Sequence, residues 1–169
     1  IASPPGRSPR GIVRMSGPDA VAVADRSFSE NLGALQRASR SEGELQIDST
    51  SVAGTMLVWP TDRSFTRQPS VEFHTFGSPP VLNLVLQTFC DAGARLAQPG
   101  EFTMRAFLSG RIDLTQAEAV LAVIDAGSRD QLDIALGQLA GGLGARLKQI
   151  RLELMDVLAE LGERHPPKR

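Results

Sequence analysis

The hydrophobic period of this chain changes once, near Leu114, and that change limits what it can fold into. Downstream, Val120, Leu121, Ile124, Leu132, Ala135 and Leu139 recur at helical spacing. After the break Gly141-Gly142-Leu143-Gly144, a second stripe follows through Leu147, Ile150, Leu154, Val157, Leu158 and Leu161. Thr115-Gln116-Ala117-Glu118 reads as a capping box, in which Thr and Glu satisfy each other's exposed amides. The reading is therefore two long amphipathic helices. Each has one apolar stripe too wide for a lone pair to cover, which calls for a larger bundle or a second subunit.

Upstream, short alternating runs are separated by Gly and Pro. Pro4-Pro5-Gly6-Arg7 is a turn, and Gly11-Ile12-Val13-Arg14-Met15 a strand. Ser16-Gly17-Pro18-Asp19 starts a helix carried by Ala20 to Phe28. Residues 33–50 read as loop with a strand near Leu45–Ile47, and Val52 to Trp59 as a strand stopped by Pro60. A further strand runs through Val71, Phe73 and Thr75. Pro79-Pro80 then opens an apolar helix with Val81, Leu84, Val85, Thr88 and Phe89 on one face and Gly93 at its end. Arg95 to Ala97 reads as a short strand and Glu101 to Leu108 as a short helix ended at Gly110. The fold class expected is an α+β domain with a mixed sheet over residues 1–115, followed by the start of a helical domain over 116–169.

Charge and composition exclude several functions. A net charge of −1 supplies no field that would draw in nucleic acid or an anionic membrane, and no apolar run is long enough to cross one. One cysteine, Cys90, rules out an internal disulfide. No secretory signal is visible after Ile1, so the expected location is cytoplasmic. The only lysines are Lys148 and Lys168, followed by Gln149 and Arg169. A P-loop needs G-x-x-x-x-G-K-[ST], and neither lysine stands in one, so these residues are not expected to hydrolyse GTP.

The longest distinctive run is Pro99-Gly100-Glu101-Phe102-Thr103-Met104-Arg105-Ala106-Phe107-Leu108-Ser109-Gly110-Arg111-Ile112-Asp113-Leu114-Thr115-Gln116-Ala117-Glu118-Ala119. It resembles the P-G-E-F-T-x-R-A-F-x-N-G-[KR]-x-D-L-x-Q-A-E-A signature of the tRNA-modifying GTPase family MnmE/TrmE. Pro4-Pro5-Gly6-Arg7 through Gly11-Ile12-Val13-Arg14-Met15-Ser16-Gly17 is similar to that family's P-P-G-x-G…G-I-x-R-x-S-G. Trp59-Pro60, Ser64-Phe65-Thr66 and Val71-Glu72-Phe73 resemble its W-F-P…S-F-T-G-E-D-x-x-E. Two segments depart from the pattern. Arg67-Gln68-Pro69 stands where the family has G-E-D, and Phe76-Gly77-Ser78 where it has H-G-G.

The resemblance implies a fold similar to the tetrahydrofolate-binding domain of the glycine-cleavage T-protein, a homodimer formed through it, and a helical domain into which a GTPase domain is inserted. It implies a reduced folate, 5-formyl- or methylene-tetrahydrofolate, as cofactor, with GTP, Mg and K belonging to the GTPase domain. It also implies work with tRNA and an MnmG-type flavoprotein at C5 of the wobble uridine. Carried over by motif, the folate-binding residues are Arg14, Glu72 and Arg111. Chemically this is coherent: a carboxylate can accept a bidentate pair from the pterin's amino and ring N–H groups, and arginines can pair with carboxylate or carbonyl oxygens. Where this chain has Arg111 the family often has Lys, which trades a point charge for a planar fork.

Each residue also has a plainer job. Arg14 can be a solvated strand-end charge, Glu72 an outward position, and Arg111 a charge at the negative end of a helix. Asp113 and Thr115 read as capping groups. His74 has no Cys or His partner at ligand spacing, so no metal is expected. Cys90 reads as core, and Trp59 as packing or a stacking face for a pterin. No residue takes a catalytic role. Two alternatives to the folate-binding portion stay open: a structural dimerisation module whose pocket has decayed, and a free-standing folate-dependent transferase.

Overall fold

The computed structural model describes residues 1–4 and 6–164. The turn expected at Pro4-Pro5-Gly6-Arg7 falls partly outside them, as does the tail 165–169. The chain divides into two units, Ile1–Arg111 and Ile112–Arg169.

The first unit is built on four strands: β1 (Ser8–Ser16), β2 (Ser39–Ile47), β3 (Thr50–Trp59) and β4 (Ser70–Gly77). Their order is β1-β4-β3-β2, and every neighbouring pair is antiparallel. The sheet is therefore antiparallel, where a mixed one was expected. The cause is local: Ile47 pairs with Thr50 across a two-residue turn, and Asp48 takes the left-handed conformation such a hairpin turn favours. β2 is also far longer than the expected Leu45–Ile47. Its first half is polar because it lies at a sheet edge, with Arg40, Glu42 and Glu44 exposed.

One face of the sheet is dry. Val13 from β1, Leu45 and Ile47 from β2, Met56 and Val58 from β3, and Val71 and Phe73 from β4 alternate onto it. Two helices close it: α1 (Ala20–Asp25), which stops before the expected Phe28, and α2 (Pro79–Asp91). α2 contributes Leu82, Val85 and Phe89, spaced to share one side, so Leu84 of the expected face is exposed and Leu82 takes its place. Within this core, Gly43 of β2 and Gly54 of β3 stand directly opposite each other. A methyl at Gly54 would come within 2.5 Å of the Phe73 ring, and one at Gly43 within 2.9 Å of Phe28. The bare backbone thus makes the slot in which Phe28 and Phe73 meet edge to face, centroids 6.2 Å apart.

Arg95–Ala97 forms no strand and leads directly into α3 (Glu101–Leu108). α3 leaves through a complete Schellman closure: Gly110 takes a φ of 71°, its amide donates to Phe107 O, and the Arg111 amide donates to Ala106 O.

The second unit holds three helices where two were expected: α4 (Leu114–Asp125), α5 (Arg129–Leu139) and α6 (Gly142–Arg164). The first stripe is cut at Ala126-Gly127-Ser128, where the Ser128 hydroxyl caps α5 by accepting from the Gln131 amide. Asp113 caps α4 in place of Thr115. Its carboxylate accepts from the Gln116 amide, and the Gln116 side chain accepts in return from the Asp113 amide. The helix begins at Leu114, one residue before the box read from Thr115, so Thr115 lies inside the first turn and donates to Asp113 instead. The Gln116 amide and the Thr115 hydroxyl together hold the Asp113 carboxyl below its ordinary range. Large apolar side chains, among them Leu121, Ile124, Ile134, Leu154 and Leu158, remain exposed in this unit.

Replacing Gly54 with Ala is expected to destabilise the first unit by about 1–3 kcal/mol, the usual cost of overpacking. Urea unfolding followed by the near-ultraviolet signal of the core checks it, and an unchanged midpoint would show the slot to be roomier than its glycines imply.

Candidate functional site

The opposite face of the sheet carries the chemistry. Because strand side chains alternate, Glu72 and His74 of β4 point away from the core that Val71 and Phe73 fill. Arg14 on β1 is the direct register partner of Glu72, and Leu57 on β3 flanks Glu72 from the other side. The three polar side chains form one chain of contacts. Arg14 Nε donates to Glu72 Oε1 at 2.7 Å, and His74 Nε2 lies 3.0 Å from Glu72 Oε2. The Glu72 side chain is only 15% exposed, that of Arg14 37%.

Of the three residues carried over by motif, the structure thus brings Arg14 and Glu72 into contact. Arg111 is exposed, its backbone fixed by the Schellman closure, and its side chain makes no ion pair or hydrogen bond among the described residues. A half-exposed ion pair stabilises a fold by about 0–1 kcal/mol. The Arg14–Glu72 pair is therefore a weak stability device. What it does firmly is orient both groups.

A groove of about 900 Å³ opens beside this trio. His74 belongs to its wall together with Arg10, Arg40, Thr55, Leu57 and Phe76. Phe76, which stands where the resembling motif has His, is 66% exposed. At the other departure, Arg67 adopts a φ of 53°, the left-handed region that a glycine occupies freely. The turn thus asks of Arg67 a conformation that a glycine would adopt without strain.

The charged core of the long motif lies on α3 and was not singled out from sequence. Glu101 is 7% exposed and accepts from Arg95 Nη2 at 2.6 Å, from Arg105 Nη2 at 2.7 Å and from the Gln98 amide at 2.9 Å. Arg105 extends the network by donating through Nη1 to Ser16 O and Gln68 Oε1. It thereby ties α3 to the end of β1 and to the 67–69 turn. A cluster of hydroxyls seals the same corner: Ser16 Oγ and Thr66 Oγ1 are 2.5 Å apart, and Ser70 Oγ is 3.2 Å from Ser16 Oγ. The only sequence signal for this was the E-x-x-x-R spacing at i,i+4, which is common on solvated helices.

The Arg95 guanidinium, the Gln98 amide and the Arg105 guanidinium hold the Glu101 carboxyl down to about 2. A depressed carboxyl stabilises the fold fully above its unfolded value and loses that contribution as pH falls through its folded value. The thermal midpoint of the native chain should therefore exceed that of Glu101→Gln at neutral pH, and the gap should close between about pH 4.5 and 2. A gap independent of pH in that window would sever Glu101 from acid stability.

Comparison with known proteins agrees with this assembly of motifs. Residues 1–111, the whole first unit, match the family described as "GTP-binding protein TrmE N-terminus". Relatives include the tRNA modification GTPase MnmE of Rhodopirellula baltica, 48% identical over 165 residues, which are 95% of this chain and 36% of that protein. The tRNA modification GTPase MnmE of Roseiflexus castenholzii is 44% identical over 162 residues, 94% of this chain and 35% of that protein. That of Listeria welshimeri is 40% identical over 164 residues, again 36% of its length. The chain spans about a third of the length of these relatives. From the matched first unit and these identities, the chain belongs to the MnmE/TrmE family of tRNA modification GTPases and corresponds to its N-terminal part.

Proposed function

We propose that this chain binds a reduced folate on the open face of its sheet, dimerises, and presents the one-carbon donor for C5 modification of the tRNA wobble uridine alongside an MnmG-type flavoprotein. The observation that carries the reading is Glu72, a nearly enclosed carboxylate held in fixed orientation between Arg14 and His74. Each carboxylate oxygen has two acceptor sites, so each keeps one open after serving Arg14 or His74. Two open acceptors side by side suit the amino and ring N–H edge of a pterin. Arg111, exposed with its charge unpaired among the described residues, suits the anionic glutamate tail of 5-formyl- or methylene-tetrahydrofolate.

Exposed apolar side chains along α4, α5 and α6 support assembly into a larger helical domain or dimer, since helices with uncovered stripes are marginal alone. GTP, Mg and K have their place in the family's GTPase domain, and no P-loop motif stands in these 169 residues. No helix is long and apolar enough to cross a membrane among the described residues. The cytoplasm is the compartment this reading requires.

A second reading has its own support. Both Glu72 oxygens already have protein partners, and the 67–69 and 76–78 segments beside them depart from the family pattern. In that case the site is an internally satisfied trio and the domain serves dimerisation only. A free-standing transferase has no such observation behind it.

Calorimetric titration with 5-formyltetrahydrofolate, with GTP as control, separates these readings. The expected outcome is saturable folate binding that Glu72→Ala abolishes, and no response to GTP. A folded dimer without folate binding would establish the structural reading instead. Sedimentation at micromolar concentration should show that dimer in both the native chain and Glu72→Ala; a strict monomer would remove dimerisation from either reading.

A further inference from the structure

Arg14 spends one of its five N–H groups on Glu72, through Nε. Its Nη1 and Nη2 groups donate to no protein atom among the described residues, so four N–H donors stay available. A guanidinium held through one nitrogen can still swing about that bond. Here the swing is limited from one side: the Arg14 guanidinium carbon lies 5.7 Å from the centroid of the Phe102 ring, within cation–π range.

The backbone that carries Phe102 is anchored by its neighbours. It follows Glu101, whose carboxylate is fixed by Arg95, Arg105 and the Gln98 amide, and Arg105 is itself bonded to Ser16 O, two residues along β1 from Arg14. The helix that carries the ring is thus bolted to the strand that carries the guanidinium. The Glu101–Arg105 network gives α3 its place, and the ring between those two residues lies beside Arg14, whose Nη donors have no protein acceptor among the described residues.

We infer that Phe102 is a positioning residue for ligand binding: its ring fixes the plane of the Arg14 guanidinium, so that the free Nη edge meets the carbonyl or carboxylate oxygens of an anionic ligand. This rests on the folate-binding reading of the same site. It adds a ligand-orienting role, exerted through Arg14, for the aromatic of the Glu101-Phe102-Thr103 stretch.

The test compares Phe102→Leu, which keeps apolar bulk without a ring, with Phe102→Tyr, which keeps the ring. Two quantities are read on the 169-residue chain. One is 5-formyltetrahydrofolate affinity by calorimetry. The other is the exchange rate of the Arg14 Nε–H proton by NMR, its signal assigned by its loss in Arg14→Gln. Phe102→Leu should weaken folate about two- to fivefold and speed Nε–H exchange. Phe102→Tyr should restore both, and in an Arg14→Gln background the Leu change should have no further effect on affinity. Unchanged exchange in Phe102→Leu overturns the positioning role, whether or not folate binds. Faster exchange with unchanged affinity overturns its relevance to the ligand. A native chain that binds no folate overturns the reading of the site, and the exchange comparison then still decides what Phe102 does to Arg14. If Phe102→Leu fails to fold, Phe102→Met carries the same comparison.

Discussion

A carboxylate withdrawn from water must be surrounded by donors, and Glu101 is surrounded by three residues of its own segment, Arg95, Gln98 and Arg105. That requirement shapes the first unit. It fixes the chain before α3, sets the start of the helix, and directs Arg105 toward Ser16 and Gln68, at the end of β1 and in the turn before β4. The corner where β1 ends, β4 begins and α3 crosses is therefore one hydrogen-bonded assembly, completed by the hydroxyls of Ser16, Thr66 and Ser70. Arg14 and Glu72 lie two residues inside that corner on their strands, so their alignment is inherited from it.

The division of labour across the sheet follows from strand alternation. One face is spent on Val, Phe and Met side chains against α1 and α2, and stability resides there. The other keeps a charged trio that contributes little to stability but is geometrically fixed. A site built this way can change its side chains without endangering the fold. That is consistent with a chain that retains Arg14 and Glu72 while carrying Phe76 at the rim of the groove.

Much of this was legible in the sequence where the signal is local. The strand at Val52–Trp59, the helix after Pro79-Pro80 and the stop at Gly110 follow from alternation, proline entry and glycine exit, and the family followed from three ordered motifs. What escaped was either non-local or masked by a competing period. Arg14 and Glu72 are 58 residues apart, so neither resembles half of an ion pair when read alone. The apolar spacing continues across Ala126-Gly127-Ser128, which hid the end of α4; the glycine and the capping serine were the signals to weigh. The first half of β2 was too polar to read as a strand because an edge position leaves its outward residues wet. Asp113 was rightly seen as a cap, but the box was placed two residues late, at Thr115 and Glu118 instead of Asp113 and Gln116.

The opposed glycines at 43 and 54 bear on how sequences of this kind can vary. The space they leave has a fixed volume, already claimed by the rings of Phe28 and Phe73. Growth at Gly43 demands that the Ser29 hydroxyl move and the Phe28 ring shrink, and growth at Gly54 meets the His74 backbone carbonyl as well as the Phe73 ring, so a smaller ring alone does not admit a side chain there. Gly54 should therefore stay glycine among relatives whatever ring stands at 73, while Gly43 can vary only together with Phe28 and Ser29. Neighbours on the open face of the same strands are free to change one at a time.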